Sequence, residues 1–330
     1  AGGVRWRAND RFGRGRGGAG RTHRAGRRGR RRPGVESDTT SSIRCLVHVH
    51  RTIKCLQRKG YSHKSKMQES KHTEVACRPP LAGWIGGKSL LAKRIIQRFP
   101  DHHCYVEPFC GAAWLLFKKP ESRVEVLNDI NKDVITLYRC LQWHLEEFVR
   151  YFKWTLVARD EFERLKRATP DTLTDIQRAA RFYYLQQSCF GGRFANPSFG
   201  YAASRAPKLN LLRIEEDLSV AHLRLARAYI ECLPYDEIIR RYDSPDTLFY
   251  IDPPYWDCEA YYGKGIFSKE DFTTLAAQLV GIKGKFILSL NDTPGVREIF
   301  SSFNIEAVNT RYSCSKGKSV AAGEVLITNF

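Results

Sequence analysis

Four consecutive residues, Asp252-Pro253-Pro254-Tyr255, follow directly on the apolar run Thr247-Leu248-Phe249-Tyr250-Ile251. The run is β-branched and aromatic, the composition of a buried strand. Two prolines end it, because proline donates no ladder hydrogen bond and constrains the residue before it. A carboxylate, a stiff turn and an aromatic ring are thus placed together at the carboxyl end of a strand, where open α/β sheets take their ligands. The chemistry open to such a group is transfer to a planar amine. The lone pair of an exocyclic amine is delocalised into its ring, so the nitrogen is a poor nucleophile. A carboxylate and a backbone carbonyl that accept its two N–H groups would draw the nitrogen toward tetrahedral geometry and localise the lone pair as charge develops. Tyr255 would stack on the base and hold it in line. Taken alone, the tetrapeptide reads as readily as a turn after a strand, with Asp252 capping the loop and Tyr255 packing.

Three earlier stretches supply what that turn lacks. Gly83-Trp84-Ile85-Gly86-Gly87-Lys88-Ser89 leads into the helical pattern Leu90 to Ile96; its paired glycines let backbone N–H groups approach an anion, and Lys88 adds charge. Cys104-Tyr105-Val106-Glu107-Pro108 reads as a strand closed by the small-residue turn Phe109-Cys110-Gly111-Ala112-Ala113, before a helical Trp114 to Phe117. Strand, small-residue turn and helix form the nucleotide-binding opening of a doubly wound sheet. A second strand, Arg123 to Leu127, ends at Asn128-Asp129, and an acidic residue there suits the two hydroxyls of a ribose. Asp129 could equally be an N-cap for the next helix, a duty Asn131 could also perform.

The elements that must position these residues follow from periodicity. Asn131 to Phe152 predicts one long amphipathic helix, and residues 160–167 and 175–187 predict two more. Ser188 to Tyr201 has no clear period and mixes glycine, aromatics, Arg and Asn. Phe190, Arg193, Asn196 and Tyr201 there suit contact with bases, against the plainer reading of a packed surface loop. Residues 212–227 return to helix and 229–232 to strand; downstream, helices are expected at 269–280 and 296–303, and strands at 285–290, 305–309 and 324–329. The sum is an α/β domain of about seven strands with a helical insertion near 153–228.

From about Gly83 to Phe330 the chain resembles the Dam-type (D12 class) family of S-adenosylmethionine-dependent DNA adenine-N6 methyltransferases. Four segments stand in the family's order: Trp84-Ile85-Gly86-Gly87-Lys88, Val106-Glu107-Pro108-Phe109-Cys110-Gly111-Ala112, Asp129-Ile130-Asn131 and Asp252-Pro253-Pro254-Tyr255. The closing Glu324-Val325-Leu326-Ile327-Thr328-Asn329-Phe330 is also similar. The resemblance implies a doubly wound, Rossmann-like methyltransferase sheet, S-adenosyl-L-methionine as cofactor, duplex DNA as partner, and site-specific methyl transfer to N6 of a flipped adenine. It implies that Trp84 and Lys88, with Gly86 and Gly87, hold the cofactor, that Asp129 binds its ribose, and that Phe109 to Gly111 pass under its methionine part. Asp252 would lie at both cofactor and base. Glu107, Asp252 and Tyr255 would attract a sulfonium and release the neutral product. No metal is called for, since the methyl group arrives activated.

Target recognition is implied for the insertion, with Phe190 to Tyr201 facing DNA. Two departures stand out: Ala113 occupies the place of a second glycine common in the family, and Gly83 replaces a basic residue. The insertion itself is short and not a close match. A methyltransferase acting on RNA adenine or cytosine N4 is the nearest alternative, and Asp at the head of the tetrapeptide favours adenine in DNA. A catalytically decayed, nucleic-acid-binding relative is an alternative of another class. A monomer is expected; whether a cognate restriction endonuclease exists is left open.

Charge belongs to the leader. Residues 1–66 carry 19 Lys and Arg against 3 Asp and Glu, leaving 35 against 32 for the remainder of a chain whose net charge is +19. Arg-Gly alternation without a leucine before Leu46 predicts disorder over residues 1–78. That leader reads either as a nucleic-acid-binding arm or organelle address, or, the favoured reading, as sequence translated upstream of a true start at Met67, the chain's single methionine. The domain boundaries expected beyond it are 79–152 with 229–330 for the catalytic domain and 153–228 for the insertion. Ten cysteines never form Cys-x-x-Cys, which points to free thiols in a reducing, cytoplasmic compartment and away from zinc. No apolar run approaches the roughly 18 residues of a membrane span.

Overall fold

The computed structural model of the chain describes residues 77–330, except 85, 193–195, 202, 205, 260–264 and 314–318. The basic leader and its expected disorder lie outside the described residues, as do Ile85 and Arg193.

Seven strands form one sheet: β1 (Cys104–Glu107), β2 (Val124–Asn128), β3 (Tyr229–Glu231), β4 (Thr247–Ile251), β5 (Lys285–Asn291), β6 (Asn304–Ser313) and β7 (Ser319–Thr328). Their spatial order is β3-β2-β1-β4-β5-β7-β6. The first five in that order run parallel, and β7 is antiparallel to both its neighbours. The chain works outward in one direction from β1 and in the other from β4, so a crevice opens above the carboxyl ends of this central pair. Glu107 ends β1, and Asp252 follows the last residue of β4.

Side chains alternate between two apolar layers, as the two-residue period of a strand requires. Tyr105, Leu248, Tyr250 and Ile287 join one layer; Val106, Phe249, Ile251, Phe286 and Leu288 join the other. Every residue of β4 is buried, which explains its unbroken apolar sequence. The first layer is covered by α1 (Ala92–Ile96), α2 (Trp114–Lys118) and α3 (Lys132–Trp143), and extends through α4 (Leu145–Tyr151), α5 (Arg159–Arg167), α6 (Asp175–Ser188) and α7 (Ile214–Leu225). The second is covered by α8 (Tyr235–Tyr242), α9 (Lys269–Val280) and α10 (Pro294–Ile299). Phe162, Phe182 and Leu218, from α5 to α7, thus share an apolar layer with Tyr105 of the central sheet.

Three expectations are corrected. The long helix over Asn131 to Phe152 is two helices, broken at His144 (φ −133°, ψ 36°). The break re-aims α4 so that Phe148 meets Tyr183 of α6 edge to face at 5.7 Å. Helix α8 has no counterpart in the sequence reading: its apolar content is the adjacent pair Ile238-Ile239 between tyrosines, too short for a periodic signal. Its outer face is held by the Asp236–Arg240 and Glu237–Arg241 pairs. The pattern from Leu90 forms helix only from Ala92.

Candidate active site

The crevice above β1 and β4 is a cavity of about 410 Å³. Trp84, Gly86, Gly87 and Lys88 line one side of it. Glu107, Phe109 and Gly111 line the floor at the end of β1, Asp129 the end of β2, and Asp252 and Pro254 the end of β4. Four stretches far apart in sequence therefore meet in one place. Pro253 is buried, and neither it nor Tyr255 lines the cavity; half-buried Tyr255 joins this group through its hydroxyl.

The turn after β1 is held from several directions. Gly111 has φ +44°, and a Cβ there would stand 3.0 Å from the Trp84 indole nitrogen, so both backbone and space require glycine. Asp129 accepts from the N–H of Gly111 and of Asn131, each at 2.9 Å. Tyr138 of α3 donates to the Gly111 carbonyl at 2.7 Å. Asn131, not Asp129, caps α3, accepting from the Asp133 N–H at 3.0 Å. Asn128, buried at the end of β2, donates to the carbonyls of Pro108 and Leu233 and accepts from the Leu233 N–H, tying the loops after β1 and β3 together. Ala113 completes the turn in the left-handed region, at φ 51° and ψ 40°. An L side chain pays for that conformation with strain of about 1–2 kcal/mol.

The charged residues form one connected group. Lys88, only 3% exposed, donates to Asp252 Oδ1 at 2.7 Å, to the Tyr255 hydroxyl at 2.9 Å and to the Gly86 carbonyl at 3.3 Å. The Tyr255 hydroxyl in turn donates to Glu324, a fully buried residue of β7. Burial pushes the Asp252 carboxyl up; Lys88 opposes this and Glu324 adds to it, for a value of about 6. Glu107 is pushed up to about 8, chiefly by burial, against the hydrogen bonds from the Tyr105 hydroxyl and the Leu116 N–H. Burial likewise raises Asp129 to about 6, against the N–H groups of Asn131 and Gly111. Perturbed carboxylates concentrated in one crevice are the usual mark of a functional site.

The loop carrying Asp252 is clamped to the neighbouring strand. The Trp256 N–H donates to Asn291 Oδ1 at 2.9 Å, and Asn291 Nδ2 donates back to the Trp256 carbonyl at 3.0 Å. Sequence reasoning missed the far wall: Leu233, Pro234 and Tyr235 after β3, Phe267 just before α9 and Asp271 in its first turn. Phe109 stacks on Tyr235 at 5.3 Å and meets Phe267 edge to face at 5.8 Å. A signal was present, since Pro234 closes β3 as Pro253 closes β4.

The stretch proposed to face DNA is less irregular than its composition suggests. The Phe190 N–H donates to the Ser198 carbonyl and the Gly200 N–H to the Ser188 carbonyl, both at 2.8 Å, with Cys189 and Phe199 forming an antiparallel bridge. A Cβ on Gly200 would lie 3.0 Å from the opposite backbone, so that residue permits the closure. Phe190, Asn196 and Tyr201 are all exposed. The Arg159 guanidinium lies over the rings of Phe199 and Tyr201, at 5.1 and 5.3 Å.

With this geometry in hand, comparison with known proteins is specific. A family model described as D12 class N6 adenine-specific DNA methyltransferase matches residues 84–314. The chain is similar to the Type II methyltransferase M.CviBI of Paramecium bursaria Chlorella virus NC1A, 26% identical over 241 residues, covering 71% of this chain and 89% of that protein. It is similar to the DNA adenine methylase of Escherichia coli (strain K12), 26% identical over 252 residues, with 70% and 87% covered. It is also similar to the DNA N-6-adenine-methyltransferase of Escherichia phage P1, 25% identical over 257 residues, covering 70% of this chain and 32% of that larger protein. The match spans most of the chain and contains every segment that lines the cavity, and on that ground the chain belongs to the D12 class of N6 adenine-specific DNA methyltransferases.

Proposed function

We propose that the chain transfers the methyl group of S-adenosyl-L-methionine to N6 of an adenine flipped out of duplex DNA, with Asp252 as the residue that accepts the amine's hydrogens. The observation that carries this reading is the meeting of Asp252 with Lys88, Glu107 and Asp129 in one cavity at the sheet's switch point.

The residues present suit such a cofactor. Gly87 and Gly111 leave space that a Cβ would close against Trp114 and Trp84, at 2.7 and 3.0 Å. Trp114 Nε1 is buried without a hydrogen-bond partner among the described residues. Phe109, Ile130 and Tyr235 line the same cavity and offer apolar surface to a purine ring. Trp84, Gly86 and Gly87 would hold the methionine part, and Asp129 the ribose hydroxyls, with the lone pairs left after its two backbone hydrogen bonds. When bound, S-adenosylmethionine supplies a methyl group already activated on a sulfonium.

On the acceptor side, Lys88 engages Oδ1 of Asp252, so Oδ2 is the oxygen that would take an N–H from the amine. Pro253 and Pro254 offer carbonyls for the other hydrogen and stiffen the loop that presents them. The ring of Tyr255 would stack on the base, and Phe190, Arg193, Asn196 and Tyr201 would contact the surrounding DNA. Catalysis of this kind rests on alignment and on acceptors aimed at the charge that develops at nitrogen.

The test is incubation of the full chain with methyl-labelled S-adenosylmethionine and duplex DNA, followed by digestion to nucleosides. The label should run with N6-methyldeoxyadenosine. Label in cytosine, or binding of DNA with no transfer at all, overturns the reading.

A further inference from the structure

Lys88 has three N–H groups, and all three are used: on Asp252, on the Tyr255 hydroxyl and on the Gly86 carbonyl. Because the Tyr255 oxygen accepts from Lys88, its own hydrogen must point elsewhere, and it points to Glu324. The result is a buried line of four groups, Asp252, Lys88, Tyr255 and Glu324, with one direction of donation at each link. Glu324 also pairs in register with Asn291, the residue that clamps the Trp256 backbone beyond the tetrapeptide. A single register position on β7 therefore braces the Asp252 loop twice, through a side chain and through the sheet.

We infer that Glu324 is a positioning residue for transfer at Asp252, acting through the Tyr255 hydroxyl and the Lys88 ammonium. The inference rests on the proposed reading of Asp252 as the acceptor of the amine's hydrogens. With Glu324 in place, the phenol cannot rotate its hydrogen toward Lys88, and Lys88 stays on Oδ1. Without it, the hydroxyl loses its acceptor, and the lysine is free to move across the carboxylate and cover the oxygen that the amine needs. Glu324 also adds to the upward push on the Asp252 carboxyl. Among the described residues the ionisable groups around Asp252 are Lys88 from the Gly-Gly-Lys loop, Glu107 from β1, Tyr250 from β4, Tyr255 from its own loop and Glu324 from β7.

The experiment is single-turnover methyl transfer, with cofactor affinity read by calorimetry, on the wild type, Tyr255→Phe, Glu324→Leu and the double variant, and a pH profile of Glu324→Gln. Phe keeps the ring and removes only the hydroxyl. Tyr255→Phe and Glu324→Leu should each slow transfer by ~10–100-fold, and the double variant should be no slower than the worse single, because both cut the same line. Cofactor affinity should stay within about threefold in both, since Glu324 touches neither reactant and Tyr255→Phe keeps the ring that stacks on the base. Gln at 324 retains an acceptor for the phenol but loses the charge, so the acid limb of the rate profile should move to lower pH. Losses that multiply in the double variant, or an acid limb that stays put in Glu324→Gln, overturn the inference. Should the Leu variant fail to fold, the acid limb of the Gln variant decides. A wild type that makes no N6-methyladenine sinks the functional reading itself, which is a separate outcome.

Discussion

Glu125, near the amino end of β2, and Asp252, just past the carboxyl end of β4, are both carboxylates held by a buried lysine, yet the protein balances them differently. Glu125 accepts from Lys119 at 2.5 Å, from the Ser122 N–H at 3.0 Å and from both arms of the Arg224 guanidinium. Burial alone would raise its pKa; Arg224 and Lys119 outweigh burial and hold it below the ordinary value. Around Asp252 the ratio is inverted. Among the described residues one cation, Lys88, serves Asp252 directly and Glu324 through Tyr255, while burial of Glu107 outweighs the pull of Lys119. The first cluster joins α7 to the sheet and is satisfied. The second has too little positive charge among the described residues to offset burial, so its carboxyls are pushed up rather than down, an arrangement that costs stability and is usual at functional sites.

The largest expected effect is at the unsatisfied end. Asp252→Asn should lower the rate of methyl transfer by ~10²–10⁴-fold, while the melting temperature holds or rises, because a buried like charge is removed; a variant that unfolds would place Asp252 with Glu125 as a structural group. Glu125→Ala should do the reverse. Leaving Arg224 and Lys119 without their anion should cost about 3–5 kcal/mol of stability, read by denaturant titration, with transfer by the folded fraction retained. Loss of transfer in a fully folded Glu125→Ala would break the comparison.

The two clusters should also differ in the sign of their pH dependence. The folded pKa of Glu125 is depressed, so its contribution to stability is present above the unfolded value of 4.5 and lost as pH falls through the folded one. Glu107 rises from 4.5 to about 8, so its contribution is present below 4.5 and lost as pH climbs toward 8. Stability of the ligand-free protein should therefore decline between pH 5 and 8 by an amount on the order of a few kcal/mol from this group, and Glu107→Gln should flatten that slope. A slope unchanged in Glu107→Gln would mean that Glu107 is ionised in the folded state. The smallest effect is expected at Ala113. Replacing it with Gly relieves left-handed strain of about 1–2 kcal/mol and adds about 0.4–1 kcal/mol of unfolded-chain entropy, so the variant should be unchanged or slightly more stable by thermal denaturation. A clear loss would show that the Ala113 methyl is valued for packing.

Much of the site was legible because its signals are local. Two prolines after five apolar residues mark the end of a buried strand whatever surrounds it, and the glycine turn at residues 109–113 declares itself through small side chains and the following helix. The doubly wound sheet followed from the alternation of such units. The far wall was not legible: Tyr235 and Phe267 carry no pattern that separates a ring lining a cavity from one in a core. The split between α3 and α4 was hidden as well, since their apolar positions keep helical spacing through His144 and only packing of Phe148 on Tyr183 requires the change of direction.

The sequence by itself determined the order of the elements, the identity of the class and the residues that could meet a donor and an acceptor, because local backbone preference and motif order need no third dimension. Only the tertiary structure decided how charge is shared among them. Lys88, Tyr255 and Glu324 are separated by 167 and 69 residues along the chain, yet form one hydrogen-bonded line. Whether a carboxylate is neutral, paired or left in excess depends on desolvation and on which cation reaches it, and both are set by folding alone.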